Sequence, residues 1–217
     1  MAENVKGILS LEKGAVFKMI LTDFSKAGYK VEYQVLNAAN FGVPQKRERV
    51  IIIGVRNDLD IAIKHPLPTH AEQSNLFNKL KPWVTVTQAV GHLPDPDGEH
   101  SLLNHTYSKF KLKFNGYIGN RRIDPCKPAP TVTARGDSKG GVVVLHHPNN
   151  ERRMSVRELA LIQSFPINFE FIGTNSSCYR QIGNAVPPLL AYHIGKQFPI
   201  KLTQNKYEDT KEAVSQL

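Results

Sequence analysis

The sequence predicts an α/β fold joined to a second, loop-rich region, and three observations carry that expectation. The run Val50-Ile51-Ile52-Ile53-Gly54-Val55 is continuous and β-branched, the texture of a strand buried on both faces inside a mostly parallel sheet. Upstream of it, Val16, Met19, Ile20 and Phe24 recur at helical spacing. Downstream, residues 62–150 are rich in proline, glycine and histidine and hold few long periodic segments, which suits a surface-presenting domain.

In chain order, the first element is a helix over residues 15–27, stopped by Gly28. Residues 30–36 alternate, with Val31, Tyr33 and Val35 set against Lys30, Glu32 and Gln34, as a half-buried strand does. Residues 37–44 contain Asn, Gly and Pro and read as a loop before the strand at 50–55. Within the irregular region, residues 131–134 and 142–145 are the best strand candidates, and residues 86–90 suit a short helix. Ser155 and Glu158 then stand at capping-box spacing ahead of Val156, Leu159, Ala160 and Ile162, a helix that must end before Pro166. A last helix begins at Pro187 or Pro188, where a missing N–H costs nothing, and runs through Leu189, Leu190, His193 and Ile194. Residues 201–217 are polar and mixed in charge, and are expected to be a frayed or disordered tail.

Composition narrows the function classes. The chain of 217 residues is 41% hydrophobic and 22% charged, as globular proteins are. No apolar run approaches the ~20 residues that span a bilayer, and residues 1–6 lack the basic, then apolar, start of a secretory signal. Cys126 and Cys178 stand outside any C-x-x-C spacing, which speaks against a zinc site or a disulfide framework and for a reducing, cytoplasmic home. A net charge of +9 and a pI near 9.5 favour a polyanionic partner.

Glu3-Asn4-Val5, the basic cluster Gln45-Lys46-Arg47-Glu48-Arg49 and Gly183-Asn184-Ala185-Val186-Pro187-Pro188 each have a plain reading alone: a solvated acid, a charged patch at a strand mouth, a turn feeding a helix. Their order and spacing say more. The run Asn37-Ala38-Ala39-Asn40-Phe41-Gly42-Val43-Pro44-Gln45-Lys46-Arg47-Glu48-Arg49-Val50 resembles the eighth motif of the DNA cytosine-5 methyltransferases, and Glu3-Asn4-Val5-Lys6-Gly7 their sixth. Arg152-Arg153-Met154-Ser155-Val156-Arg157-Glu158-Leu159-Ala160, with Gln163-Ser164-Phe165-Pro166, resembles the ninth. Tyr179-Arg180-Gln181-Ile182-Gly183-Asn184-Ala185-Val186-Pro187 resembles the tenth.

The resemblance implies the C-terminal part of a doubly wound S-adenosylmethionine-dependent methyltransferase domain, with a smaller, loop-rich, mostly β target-recognition domain. Residues 1–61 would be the partial catalytic domain, 62–177 the recognition domain, 178–200 a closing helix returning to the catalytic domain, and 201–217 the tail. In that family a cysteine thiolate attacks C6 of a cytosine flipped from double-stranded DNA, so that C5 can take the methyl group. By resemblance, Glu3 meets the cytosine edge at N3 and the 4-amino group, and so must be protonated or share that proton. Arg49 meets O2, where negative charge gathers. Arg47 organises the site or contacts phosphate, and Gln45 fixes its loop. Asn184 and Val186 line the S-adenosylmethionine pocket, while Ser155, Arg157 and Glu158 are structural. Arg121, Arg122, Arg135 and Lys139, set among glycines of the variable region, are the DNA-contact candidates.

The family's glycine-rich cofactor motif and its Pro-Cys motif have no counterpart here, and neither Cys126 nor Cys178 has the nucleophile's context. With most of the parallel sheet missing, the strand at 50–55 should keep an exposed apolar face and an unpaired edge. Met1 falls mid-domain, immediately before the sixth motif. Two readings follow: one piece of a methyltransferase, active only with a complementing N-terminal half, or a non-catalytic remnant that at most binds DNA. A stand-alone DNA-binding regulator would give Glu3, Arg49 and Asn184 no reason to fit a catalytic site. No membrane or metal partner is expected.

Overall fold

The computed structural model describes residues 1–62, 64–73, 79–109, 122–134, 145–148 and 152–198. The tail at 201–217, residues 142–144 of the strand candidate at 142–145, and three of the DNA-contact candidates, Arg121, Arg135 and Lys139, lie outside the described residues. Contacts divide the chain into two compact units, one of Met1–Gln34, Val50–Leu67 and the chain from Ala191, the other of Val35–Arg49 and Pro68–Leu190.

The first unit holds β1 (Ala2–Val5), α1 (Ala15–Lys26) and most of β2 (Tyr29–Asn37) and β3 (Glu48–Arg56), whose sheet has the order β1-β3-β2. The run of β-branched residues does form the buried strand: Val50, Ile51, Ile52 and Ile53 are at most 5% exposed. The expected unpaired edge of that strand is not found, because β1 and β2 flank β3 on both sides, nor is the expected open face, because residues 50–53 are buried. The apolar exposure falls elsewhere in the unit, on Val5, Leu11, Met19 and Tyr33. Of α1, only Phe17 is buried, and its ring meets Tyr33 of β2 edge-on at 4.7 Å. Gly28 closes α1 in the left-handed region at φ 84°, and its carbonyl accepts from Asn57 N at 2.8 Å, tying the helix end to the end of β3.

In the second unit, residues 37–44 hold a short 3-10 turn at Ala38–Phe41, capped by the Asn37 side chain. Gly42 follows at φ 83°, where a side chain would be strained and its Cβ would stand 2.8 Å from His70 Cε1. The two-residue strands β4 (His70–Ala71) and β5 (Lys81–Pro82) pair in parallel. α2 (Val86–Val90) and α3 (Val156–Ile162) each start in a complete capping box, Thr85 with Gln88 and Ser155 with Glu158. α4 (Asn175–Asn184) is capped by Thr174, and the unit ends in the first turn of α5 (Pro188–Gly195), which starts at the expected proline. The unit's core gathers Val86, Val132, Met154, Leu159, Ile162, Tyr179 and Ile182.

Further expectations differ from the structure. Residues 131–134 form no strand; the N–H and carbonyl of Val132 are taken instead by the side chains of Gln45 and Arg47. A mostly β second region is not what the described residues show: β4 and β5 are its strands there, and α2, α3 and α4 contribute most of its regular structure. Val35–Arg49 falls in the second unit, where Gln45 and Arg47 bond the Val132 backbone.

Serine closes α3 where glycine is usual. Ser164 stands at φ 66°, Phe165 N donates to Ala160 O and Ser164 N to Leu161 O, the paired bonds of a Schellman stop. The Ser164 hydroxyl then accepts from Leu189 N at 3.1 Å, in the first turn of α5.

A buried polar cluster supports the start of α3. Both carboxylate oxygens of Glu158 accept from the Arg152 guanidinium, at 2.9 and 2.8 Å, and Oε2 also accepts from Ser155 N at 2.7 Å. His105 is fully buried. Its Nε2 meets the Pro94 carbonyl at 2.9 Å and so carries the proton, leaving Nδ1 to accept from the Ser155 hydroxyl at 2.9 Å. Burial pushes His105 down from its ordinary value, as it does His147, which stands beside Arg152 and Glu158. Burial works against the charge of Glu158, yet Arg152 and the Ser155 N–H hold it below its ordinary value. All three shifts have one sign. The unfolded chain takes up protons that the folded chain refuses, first near the ordinary histidine value of 6.5 and then near the glutamate value of 4.5. This cluster's contribution to stability is therefore full above about pH 7 and is lost as pH falls through both windows. The thermal midpoint is expected to be lower at about pH 5.5 than at about pH 7.5; a midpoint that is flat or rises on acidification contradicts the sign.

Candidate functional site

The basic segment before β3 forms the floor of the candidate site in the second unit. Residues 44–47 lie beside residues 129–132: Ala129 N donates to Pro44 O at 2.9 Å, Lys46 N to Ala129 O at 2.8 Å and the Thr131 hydroxyl to Lys46 O at 2.8 Å. Two side chains of this segment then turn inward. Arg47 is 2% exposed, and its guanidinium donates to Val132 O at 3.0 Å and Gly183 O at 3.2 Å. Gln45 is fully buried, and its Oε1 accepts from Val132 N at 2.8 Å.

Gln45 passes the connection on. Its Nε2 donates to Oε1 of Gln163, also fully buried, and Gln163 Nε2 donates to Ile182 O at 2.9 Å and Ala185 O at 2.8 Å. The carbonyls of Ile182, Gly183 and Ala185 are thus all held by side chains from the segments at 45–47 and 163. These carbonyls surround Asn184, which is exposed at the last position of α4, and precede the half-buried Val186. Gly183 permits the approach: a Cβ there would fall far inside van der Waals contact of Thr133 C, Thr133 O and Ala134 N. The Thr133 hydroxyl beside this contact is buried and has no hydrogen-bond partner among the described residues.

The structure brings Gln45, Arg47, Asn184 and Val186 into this one assembly. Glu3 stands half-buried on β1 of the first unit. Arg49 lies at the start of β3, half-buried, and donates to Glu48 O at 2.8 Å. Arg122 is exposed at an isolated bridge to His146. Ser155 and Glu158 cap α3, and the buried Arg157 donates to the carbonyls of Leu103, Pro166 and Phe169, at 2.9, 3.3 and 2.7 Å. Cys126 is exposed, whereas Cys178 is buried, its thiol pushed up by burial. Among the described residues no group of three or more His, Cys, Asp or Glu could hold a metal ion. No described helix is long and apolar enough to cross a membrane.

Gln163 lies in the ninth-motif segment, and the resemblance assigns it no role. Its signal was available, because Val156, Leu159, Ala160 and Gln163 fall on one helical stripe, and a glutamine on an apolar stripe needs a buried partner.

Comparison with known proteins shows the family. A family profile described as C-5 cytosine-specific DNA methylase matches residues 1–199. The type II methyltransferase M.NgoFVII of Neisseria gonorrhoeae is 38% identical, over 96% of this chain and 60% of its own length. The type II methyltransferase M.BsuRI of Bacillus subtilis is 40% identical, over 88% of this chain and 47% of its own. The chain therefore spans about half to three-fifths of these curated relatives. Among solved structures, the methyltransferase EhMeth of Entamoeba histolytica superposes with a TM-score of 0.56 at 16% identity, covering 90% of this chain and 60% of that one, a likeness of fold.

Proposed function

The chain belongs to the C-5 cytosine-specific DNA methylases, and from that premise we propose that it is the C-terminal portion of an enzyme that methylates C5 of a flipped cytosine in a specific double-stranded DNA sequence. It does so together with an N-terminal portion that carries the cysteine nucleophile and the glycine-rich part of the cofactor site. The observation that carries the reading is the buried bond set at Gln45, Arg47, Gln163 and the carbonyls of 182, 183 and 185, which joins three family segments far apart in sequence. The apolar residues exposed in the first unit, Val5, Leu11, Met19 and Tyr33, suit a unit that packs against further chain.

In this reading Glu3 holds the cytosine edge and shares the proton at N3, while Arg49 answers the charge gathering at O2. Arg47 is an organiser, since a guanidinium this deeply buried and bonded to two carbonyls suits a brace better than a phosphate contact. Arg122, with Arg121, Arg135 and Lys139, would contact DNA. S-adenosylmethionine, when bound, supplies an electrophilic methyl group. The residues present fit part of its site: Asn184 offers an exposed amide, Val186 an apolar wall, and the backbone of Thr133, whose buried hydroxyl has no hydrogen-bond partner among the described residues, lies against the same turn.

The test assays methyl transfer from labelled S-adenosylmethionine to duplex DNA, with the chain alone and joined to its cognate N-terminal portion. Transfer is expected only in the joined form, and Arg49→Ala there should lower kcat by about 100-fold. An inactive joined form sinks the proposal and leaves a DNA-binding remnant as the reading to pursue.

A further inference from the structure

Gln45 and Gln163 form a relay whose direction is fixed by its ends. Val132 N is a donor, so Gln45 must offer it the carbonyl oxygen. That leaves the Gln45 amide N–H to donate to Gln163 Oε1, and the Gln163 amide N–H groups to donate to Ile182 O and Ala185 O. No step can be flipped without setting two donors or two acceptors face to face. Both side chains are fully buried, and water does not replace a lost link. The far end bonds the carbonyls on either side of Gly183 and Asn184, where α4 stops and the chain turns toward Val186.

We propose that Gln163 is a positioning residue for the cofactor wall: it sets the backbone on both sides of Asn184, and through Gln45 it locks that wall to the segment at 132. The inference rests on the reading of Asn184 and Val186 as cofactor-lining residues. An isosteric change separates positioning from bulk packing. Gln163→Glu keeps size and shape and keeps an acceptor toward Gln45, yet as a carboxylate it cannot donate to Ile182 O and Ala185 O.

Two measurements on the full chain and its joined form decide the matter. By amide hydrogen exchange of the full chain, Gln163→Glu should speed exchange at residues 182–186 by 10-fold or more, with α1 unchanged. Lowering the pH toward the carboxyl's own pKa should restore part of the protection, because the neutral acid can donate once. In the joined enzyme the same variant should raise KM for S-adenosylmethionine 10-fold or more, with KM for DNA changed less than 2-fold. Gln163→Met should show the exchange effect without the pH-dependent recovery. Unchanged exchange at 182–186 overturns the proposal, as does an equal rise in both KM values. A wild-type joined enzyme with no methyl transfer refutes the catalytic reading instead; exchange at 182–186 then decides whether Gln163 holds this turn.

Discussion

Glu158→Ala is expected to destabilise the second unit by about 3–5 kcal/mol, the usual cost of removing one partner from a buried ion pair. The Arg152 guanidinium, its side chain 7% exposed, would be left buried without the carboxylate that takes two of its N–H groups. The same change removes the acceptor at Ser155 N, and with it half of the capping box that starts α3. Glu158→Gln keeps one acceptor and the volume, so it should fall between wild type and alanine. Urea unfolding of the three proteins measures the order. A loss below about 1 kcal/mol for the alanine variant would mean that Arg152 reaches water when unpaired. Because α3 carries Gln163 at its end, this variant should also weaken the turn at Asn184.

Gly183→Ala is the second. Overpacking costs typically 1–3 kcal/mol, and here about 3 kcal/mol is expected, because the neighbours are backbone and cannot rotate away. The methyl would meet Thr133 C, Thr133 O and Ala134 N, so α4 must withdraw from the segment at 132–134. Withdrawal also pulls Gly183 O from the Arg47 guanidinium, now 3.2 Å away. Gly7→Ala is the control: nothing lies within 4 Å of a Cβ there, and its effect should stay within about 0.5 kcal/mol. A Gly183→Ala variant as stable as that control would contradict the close approach.

The elements legible in the sequence were those whose cause is local. α1 and α3 announce themselves through apolar spacing, α3 also through Ser155 and Glu158, and β3 through four consecutive β-branched residues. α4 was not legible as a helix, because Asn175, Ser176, Ser177 and Gly183 are weak helix formers; it depends on the Thr174 cap and on the burial of Tyr179 and Ile182. β1 is four residues and mostly exposed, so no alternation marked it, and without it β3 looked like an edge. In the site, the motif positions were legible by resemblance. The bonds were not: Arg47 reaches carbonyls 85 and 136 residues away, and a carbonyl leaves no trace in residue identity.

Position 164 carries a consequence for which residues the chain can accept there. Its left-handed backbone costs an ordinary side chain ~1–2 kcal/mol, which glycine would avoid. Glycine, however, would leave Leu189 N without the hydroxyl that receives it. Alanine would keep the strain and lose the acceptor as well. The site therefore admits a narrow alphabet, short side chains with an oxygen near the backbone, such as serine or asparagine. One residue thus ends α3 and begins α5, and the choice at this point is set by two helices with opposite demands.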